Sequence, residues 1–172
     1  MNCKLISIKE IDSKCFLKNF DCGVEALNSF LSKYALKNDS LGIGKTFLAV
    51  TQEKDIAGYF TLASAQLAFD EIPSDYKTKL PKYPVPSLRI ARLVVDSKFQ
   101  KKGIGKWLLA QAFIKSIAVS EITGLKFIIV DAKESSKSFY EHYGFIRLYD
   151  KELCYFIPIE TIKAAITDSS KL

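Results

Sequence analysis

Apolar positions recur along this chain with two different spacings, and the elements change where the spacing changes. Residues 4–8 alternate like a short strand. Residues 23–38 follow the helical period instead: Leu27, Phe30, Leu31 and Tyr34 fall on one face, with Glu25, Ser29, Ser32 and Lys33 opposite. Asp21 is placed to cap that helix, and Glu25 sits in its first turn, where a carboxylate favours the helix dipole. Residues 46–51 and 56–69 read as a hairpin turning at Gln52-Glu53-Lys54-Asp55. The second arm is the longest uncharged run, 14 residues, too short for a membrane-spanning helix and well suited to a buried strand. Residues 73–86 hold four of the five prolines and form the only long irregular segment.

An apolar strand at residues 88–95 runs into a basic turn, and a helix begins at once over residues 104–118. Only Gln111 and Lys115, one turn apart, mark a wet stripe on this helix, which predicts heavy burial against a sheet. Residues 126–130 read as a buried strand, 135–143 as a short helix, and 145–149 and 153–157 as two closing strands. This order predicts an α/β fold around one mixed sheet. At 172 residues and 48% hydrophobic content, without repeats or low-complexity linkers, the chain is expected to form a single domain over residues 1–172.

Composition narrows the setting. The amino-terminal segment lacks a secretory apolar core, and no stretch is long enough to anchor the chain in a membrane. Cys3, Cys15, Cys22 and Cys154 show no Cys-x-x-Cys spacing, and there is one histidine. A cytoplasmic protein with reduced thiols, no metal and no disulfide framework is expected. The net charge of +6 is uneven: residues 1–86 carry a balance of +1 and residues 87–172 a balance of +5. That excess suits a polyanionic cofactor and leaves room for an acidic macromolecule such as RNA.

The chemistry concentrates at Gln100-x-x-Gly103-x-Gly105, between the strand and the helix. A strand, a glycine turn and a helix N-terminus bring unpaired backbone N–H groups to one point, backed by the positive end of the helix dipole. Lys98, Lys101, Lys102 and Lys106 add charge, and no carboxylate occurs from residue 97 to 120. A Walker A loop is excluded: Gly44-Lys45-Thr46 matches its tail, but Asp39 stands at the leading glycine and an apolar strand follows. A dinucleotide fingerprint would need glycine at Leu108. What remains is a phosphate cradle formed by Gln100, Lys101, Lys102, Gly103, Ile104, Gly105 and Lys106, the alternative being a plain turn before a core helix.

This pattern resembles the acetyl-coenzyme A site of the GNAT N-acetyltransferases, Gln/Arg-x-x-Gly-x-Gly/Ala after a strand. The resemblance implies the GNAT fold, a central mixed β-sheet flanked by helices on both faces. It also implies acetyl-CoA as cosubstrate, its pantetheine arm held by the backbone of Leu93, Val94 and Val95. A second segment, Phe139-Tyr140-Glu141-His142-Tyr143-Gly144-Phe145, is similar to the family's Phe-Tyr-x-x-x-Gly-Phe stretch, whose tyrosine points at the coenzyme A sulfur. Tyr140 is the matching residue, and its implied role is protonation of the departing thiolate. Packing on a helix face is the alternative role. His142 is the only imidazole, but two residues from Tyr140 on a helix it points elsewhere.

A narrower resemblance rests on dispersed stretches: Phe20-Asp21-Cys22-Gly23 with Leu27-Asn28-x-Phe30-Leu31, Gly58-Tyr59-Phe60-Thr61-Leu62, Ala91-Arg92-Leu93-Val94-Val95-Asp96, and Asp131-Ala132-Lys133. Together these resemble the GNAT toxins of toxin–antitoxin pairs, over roughly residues 5–160. The resemblance implies acetylation of the α-amine of aminoacyl-tRNA, translation arrest, and neutralisation by a ribbon-helix-helix antitoxin. A homodimer is compatible with it. Lys101-Lys102 stand where relatives often have Gly-Arg. Lys33 and Lys37, with Arg89 and Arg92, are the candidate contacts to the tRNA acceptor stem, against the alternative of solvated edges and ion pairs. No convincing general base precedes Asp96 on the cradle strand. An α-amine, with a pKa of about 7.7–8.0, needs one less than a lysine at about 10.4. Two other functions remain open: a GNAT enzyme acting on a small amine or protein N-terminus, and a coenzyme A-binding regulatory domain without catalysis.

Overall fold

The structure is a computed structural model that describes residues 2–11, 15–148 and 151–169. Its strands form a mixed seven-stranded sheet in the order β1-β2-β3-β4-β5-β7-β6. The strands are β1 (Cys3–Ser7), β2 (Lys45–Thr51), β3 (Ile56–Leu67), β4 (Val85–Val95), β5 (Phe127–Asp131), β6 (Ile146–Arg147) and β7 (Cys154–Pro158). The helices are α1 (Cys15–Lys18), α2 (Glu25–Ser29), α3 (Ala35–Ser40), α4 (Ser74–Lys77), α5 (Ile104–Ser120), α6 (Lys137–His142) and α7 (Ile159–Ser169). The chain clusters into two compact units, one of residues 1–63 and 91–112, the other of residues 64–90 and 113–172.

In the first unit β2 lies antiparallel to both β1 and β3, with a bulge at Ala49/Val50. The hairpin reverses with Lys54 in the left-handed region at φ 68°. The helical stretch expected over residues 23–38 is present, but a π-helical turn, Phe30–Tyr34, separates α2 from α3. Ala35 is buried, while Tyr34, expected on the apolar face, is 54% exposed. Asp21 does not cap this helix. The N-cap is Val24, without a side-chain bond. The Asp21 carboxylate instead accepts from the Gly23 N–H and from Asn28 Nδ2, both at 2.8 Å, and so fixes the loop ahead of the helix. Phe20, Phe30, Leu31, Leu48 and Tyr59 form the core of this unit.

In the second unit β4 and β5 run parallel, from Ser87↔Phe127 to Ile90↔Val130, and β7 is antiparallel to β5 and β6. Its core holds Leu67, Ile72, Phe127, Ile129 and Phe156. Two expectations change here. The chain does not close on strands: α7 follows β7, with Ile159 and Ile162 buried. Along α5, whose residues 104–112 belong to the first unit, the outer stripe is Lys106, Ala110, Ile114 and Ala118 beside Lys115, with Gln111 only half-buried and Ile114 50% exposed. Tyr149, in the expected strand over residues 145–149, lies outside the described residues. No helix among the described residues is long and apolar enough to cross a membrane.

Candidate active site

The turn between β4 and α5 is built on Asp96. Its buried carboxylate accepts from the backbone N–H groups of Lys98 and Asp21, both at 2.9 Å. The Asp96 N–H in turn donates to the Ala57 carbonyl at 3.0 Å, and Ser97 N–H to that of Asp21 at 2.8 Å. These bonds tie the end of β4 to β3 and to the loop that precedes α2. Asp96 therefore acts as an organiser of the turn, with its oxygens already engaged.

Beyond it the backbone passes through the left-handed region twice, at Lys101 (φ 59°) and Gly103 (φ 82°), before α5 begins. Alternating conformations of this kind turn successive N–H groups inward into an anion-binding concavity. The first closed turn of the helix is Trp107 N–H to the Gly103 carbonyl, at 3.1 Å. No described residue accepts a hydrogen bond from the backbone N–H groups of residues 100–106. A Cβ at Gly103 would meet nothing within 4 Å, so the approach to this backbone is open. Free donors, a helix N-terminus and exposed Lys98, Lys101 and Lys106 suit a pyrophosphate.

Two of the predicted side chains serve the turn itself. Gln100 Nε2 donates to the Val95 carbonyl at 3.1 Å. Lys102 Nζ donates to the Lys98 carbonyl at 2.8 Å, 5.7 Å above the Phe99 ring. Ile104 is buried and anchors the helix start. Upstream, Val94 is buried, Leu93 and Val95 are half-exposed, and Ala91 is exposed in mid-strand. Gly58 lies against this segment so closely that a Cβ there would stand 2.6 Å from the Val94 carbonyl oxygen.

Tyr140 is placed by the way α6 ends. Gly144, at φ 84°, terminates the helix as expected; its N–H reaches the Glu141 carbonyl at 3.0 Å, and that of Phe145 reaches Tyr140 at 3.1 Å. This is the Schellman arrangement, which brings the residue after the glycine against the third residue from the helix end. Those two are Phe145 and Tyr140, whose rings meet edge to face at 5.3 Å. Tyr155, in β7, fastens the same helix by donating to Glu141 Oε1 at 3.0 Å. The Tyr140 ring is buried, and its hydroxyl bonds to no described residue. Since no buried polar side-chain atom among the described residues lacks a partner, that hydroxyl reaches solvent. Burial pushes its pKa up to about 12, so it is a proton donor throughout the neutral range.

The four basic candidates divide between the units, Lys33, Lys37 and Arg92 in the first and Arg89 in the second. Arg89 and Arg92 are three apart on β4, and an odd separation puts them on opposite faces. Arg89 is ion-paired with Asp131 and lines a 280 Å³ cavity of the second unit with Lys151, Cys154 and Tyr155. Burial, then the bond to Asp131, pushes the Cys154 thiol up to about 11, leaving it protonated and unreactive. Arg92 instead lies over the Phe30 ring, 3.5 Å from its centroid. Lys33 and Lys37 are exposed on the same helical stretch as Phe30 and pair with no described carboxylate. No cluster of three or more metal-ligating side chains occurs among the described residues.

The nest of free N–H groups at the start of α5 has the form of an anion site, and the family of the chain says which kind. Residues 18–156 match the family described as acetyltransferase (GNAT) domain, and the chain belongs to that family of N-acetyltransferases. A tRNA-acetylating toxin of Mycobacterium tuberculosis (strain ATCC 25618 / H37Rv) is 31% identical over 128 residues, covering 74% of this chain and 76% of that protein. The structure of AtaT complexed with acetyl-methionyl-tRNAfMet superposes with a TM-score of 0.87 at 28% identity, covering 96% of this chain and 99% of that one. A tyrosine-to-phenylalanine mutant of AtaT, bound to the C-terminus of the antitoxin AtaR and acetyl-CoA, gives 0.81 at 26% identity, covering 97% and 99%.

Proposed function

We propose that this chain is a toxin that transfers the acetyl group of acetyl-CoA to the α-amine of aminoacyl-tRNA and so stops translation. The observation that carries the cosubstrate is the set of unpartnered N–H groups over residues 100–106. The tRNA substrate is supported by the mycobacterial relative and the AtaT complex, and the C-terminal excess of +5 charges agrees with it. The family match runs through both compact units, which supports treating residues 1–172 as one catalytic domain. A ribbon-helix-helix antitoxin would neutralise the toxin, and the cytoplasm, where charged tRNA resides, would be its site of action.

In this reading the N–H groups of residues 100–106 hold the pyrophosphate, and the backbone of residues 93–95 aligns the pantetheine arm as an added strand would. One N–H of that strand polarises the acetyl carbonyl. The amine nitrogen attacks the carbonyl carbon, a C–N bond forms, the C–S bond breaks, and the ammonium proton passes to water. Tyr140 donates its proton to the departing sulfur and recovers one from solvent. Moving a proton from a phenol at about 12 to a thiolate whose acid lies near ~8.5 is uphill by roughly 5 kcal/mol. The hydroxyl thus works chiefly as a hydrogen-bond donor that completes transfer late.

The test combines purified protein, acetyl-CoA and charged bulk tRNA, with mass spectrometry of the aminoacyl ends. One or a few aminoacyl species should be acetylated while free amino acids are not. Tyr140→Phe should lower turnover by about 10²–10⁴ without loss of fold. Acetylation of a polyamine or peptide in place of charged tRNA would leave a general GNAT enzyme and remove the toxin reading.

A further inference from the structure

Tyr59 is fully buried in the first unit, yet its hydroxyl is engaged: it donates to the Leu27 carbonyl at 2.9 Å. Leu27 belongs to α2, and its carbonyl also takes the Phe30 N–H three residues on, where in a regular α-helix it would accept from the N–H four residues on. The following carbonyl, Asn28, accepts from Ser32 Oγ at 3.1 Å. A side chain inserted into the i→i−4 ladder is an identifiable cause of a local break in helix geometry. The π turn Phe30–Tyr34 begins one residue beyond these two carbonyls, and Ala35 N–H closes it onto the Phe30 carbonyl.

The same turn sets an aromatic stack. The Phe30 ring lies near-parallel to Tyr59, at 6.3 Å and 24°, and carries the Arg92 guanidinium 3.5 Å from its centroid. Phe20 meets Tyr59 edge-on at 5.4 Å. Arg92 is half-buried and pairs with no described carboxylate, so a rigid fork of donors is held in one plane without an anion. Burial raises the Tyr59 pKa against the opposing field of Arg92, so the hydroxyl stays a donor at any working pH.

We propose that Tyr59 is a positioning residue for the nucleic-acid substrate: its bond to Leu27 keeps the helix in its π register, which fixes Phe30 beneath Arg92 and makes Arg92 a preset receptor for phosphates of the tRNA acceptor end. This rests on the aminoacyl-tRNA reading above. Tyr59→Phe keeps the ring and removes only the hydroxyl. The KM for charged tRNA should rise about three- to tenfold, the scale of one net hydrogen bond, with kcat and acetyl-CoA affinity unchanged. In an Arg92→Ala background the same substitution should add nothing, because its effect passes through Arg92. Phe30→Leu, which keeps an apolar side chain under the guanidinium but no ring, should raise KM in the same way. A lowered Tm with unchanged KM, or a full additive loss on top of Arg92→Ala, overturns the proposal. Failure of the wild-type protein to modify charged tRNA would be seen in its own arm, before any variant, and would remove the substrate reading and this inference together.

Discussion

Gly58→Ala offers the sharpest steric test of how β3 holds the end of β4, the strand proposed to align the cofactor. The added Cβ would stand 2.6 Å from the Val94 carbonyl oxygen, 2.8 Å from Leu108 Cδ1 and 3.3 Å from Val95 Cα. Two of these three neighbours are backbone, so they cannot rotate away, and reaching an ordinary contact of 3.4 Å requires a shift of about 0.8 Å. Leu108 is fully buried and has little room to yield. Overpacking of this kind costs about 1–3 kcal/mol. At about 2–4 °C per kcal/mol for a chain of this size, Tm should fall by roughly 2–12 °C. The displaced residues are those proposed to align the pantetheine arm, so acetyl-CoA affinity should fall about tenfold or more, since misplacement by ~1 Å is costly at a reacting centre. Thermal unfolding and titration calorimetry with acetyl-CoA on the same preparation measure both effects. A Tm within 1 °C or so of wild type and an unchanged affinity would refute the argument that β3 presses directly on residues 94–95.

Gly105→Glu should abolish acetyl-CoA binding, because it adds bulk and a like charge at the turn whose N–H groups have no partner; calorimetry showing wild-type affinity would place the phosphates elsewhere. Arg92→Ala should raise the KM for charged tRNA and lessen its salt dependence, whereas Arg89→Ala, already paired to Asp131, should leave both unchanged. Asp39 is buried, which alone would raise its pKa, but the Thr46 N–H, Lys45 and Lys9 outweigh burial and lower it. Its contribution to stability is therefore present above the ordinary carboxylate value near ~3.9 and lost as pH falls below that, so Asp39→Asn should narrow the stability gap to wild type in acid unfolding curves.

What could be read in the sequence was whatever depends on near neighbours. The hairpin of β2 and β3 follows from two apolar runs around a four-residue polar turn, and the helix end at Gly144 follows from a glycine after a helical pattern. The strand–glycine–helix cradle is of the same local kind. Features that depend on distant partners were not legible. Nothing near Arg89 announces Asp131, and nothing near Leu27 announces the Tyr59 hydroxyl bonded to its carbonyl ahead of the π turn. The outer stripe of α5 is written in Ala110, Ile114 and Ala118, residues whose hydropathy gives no sign of exposure. The helix α7 did leave a signal, Ile159, Ile162 and Ile166 after Pro158, but it sits next to an apolar strand that masks the change of period.

The protonation states in the site bear on which amine it serves. Asp96 uses its two carboxylate oxygens on backbone N–H groups, and the Gly23 N–H, then Asn28, lower the pKa of Asp21. Tyr140 and Tyr59 both have pKa values raised by burial and remain protonated. These side chains are thus donors, and the Asp96 and Asp21 carboxylates are occupied by hydrogen-bond donors. A lysine amine, with only about one molecule in a thousand or so neutral at pH 7.4, would be poorly served by it. An α-amine near 7.7–8.0 already supplies roughly a fifth to a third of its molecules as the free base at that pH, and an adjacent ester raises the share further. Donors at the carbonyl and at the leaving sulfur are then sufficient. On the proposed function, selectivity for an aminoacyl ester follows partly from a cradle strand with no acidic residue before Asp96, and adding a base there, rather than reshaping the pocket, is the change that should first admit lysine-like amines.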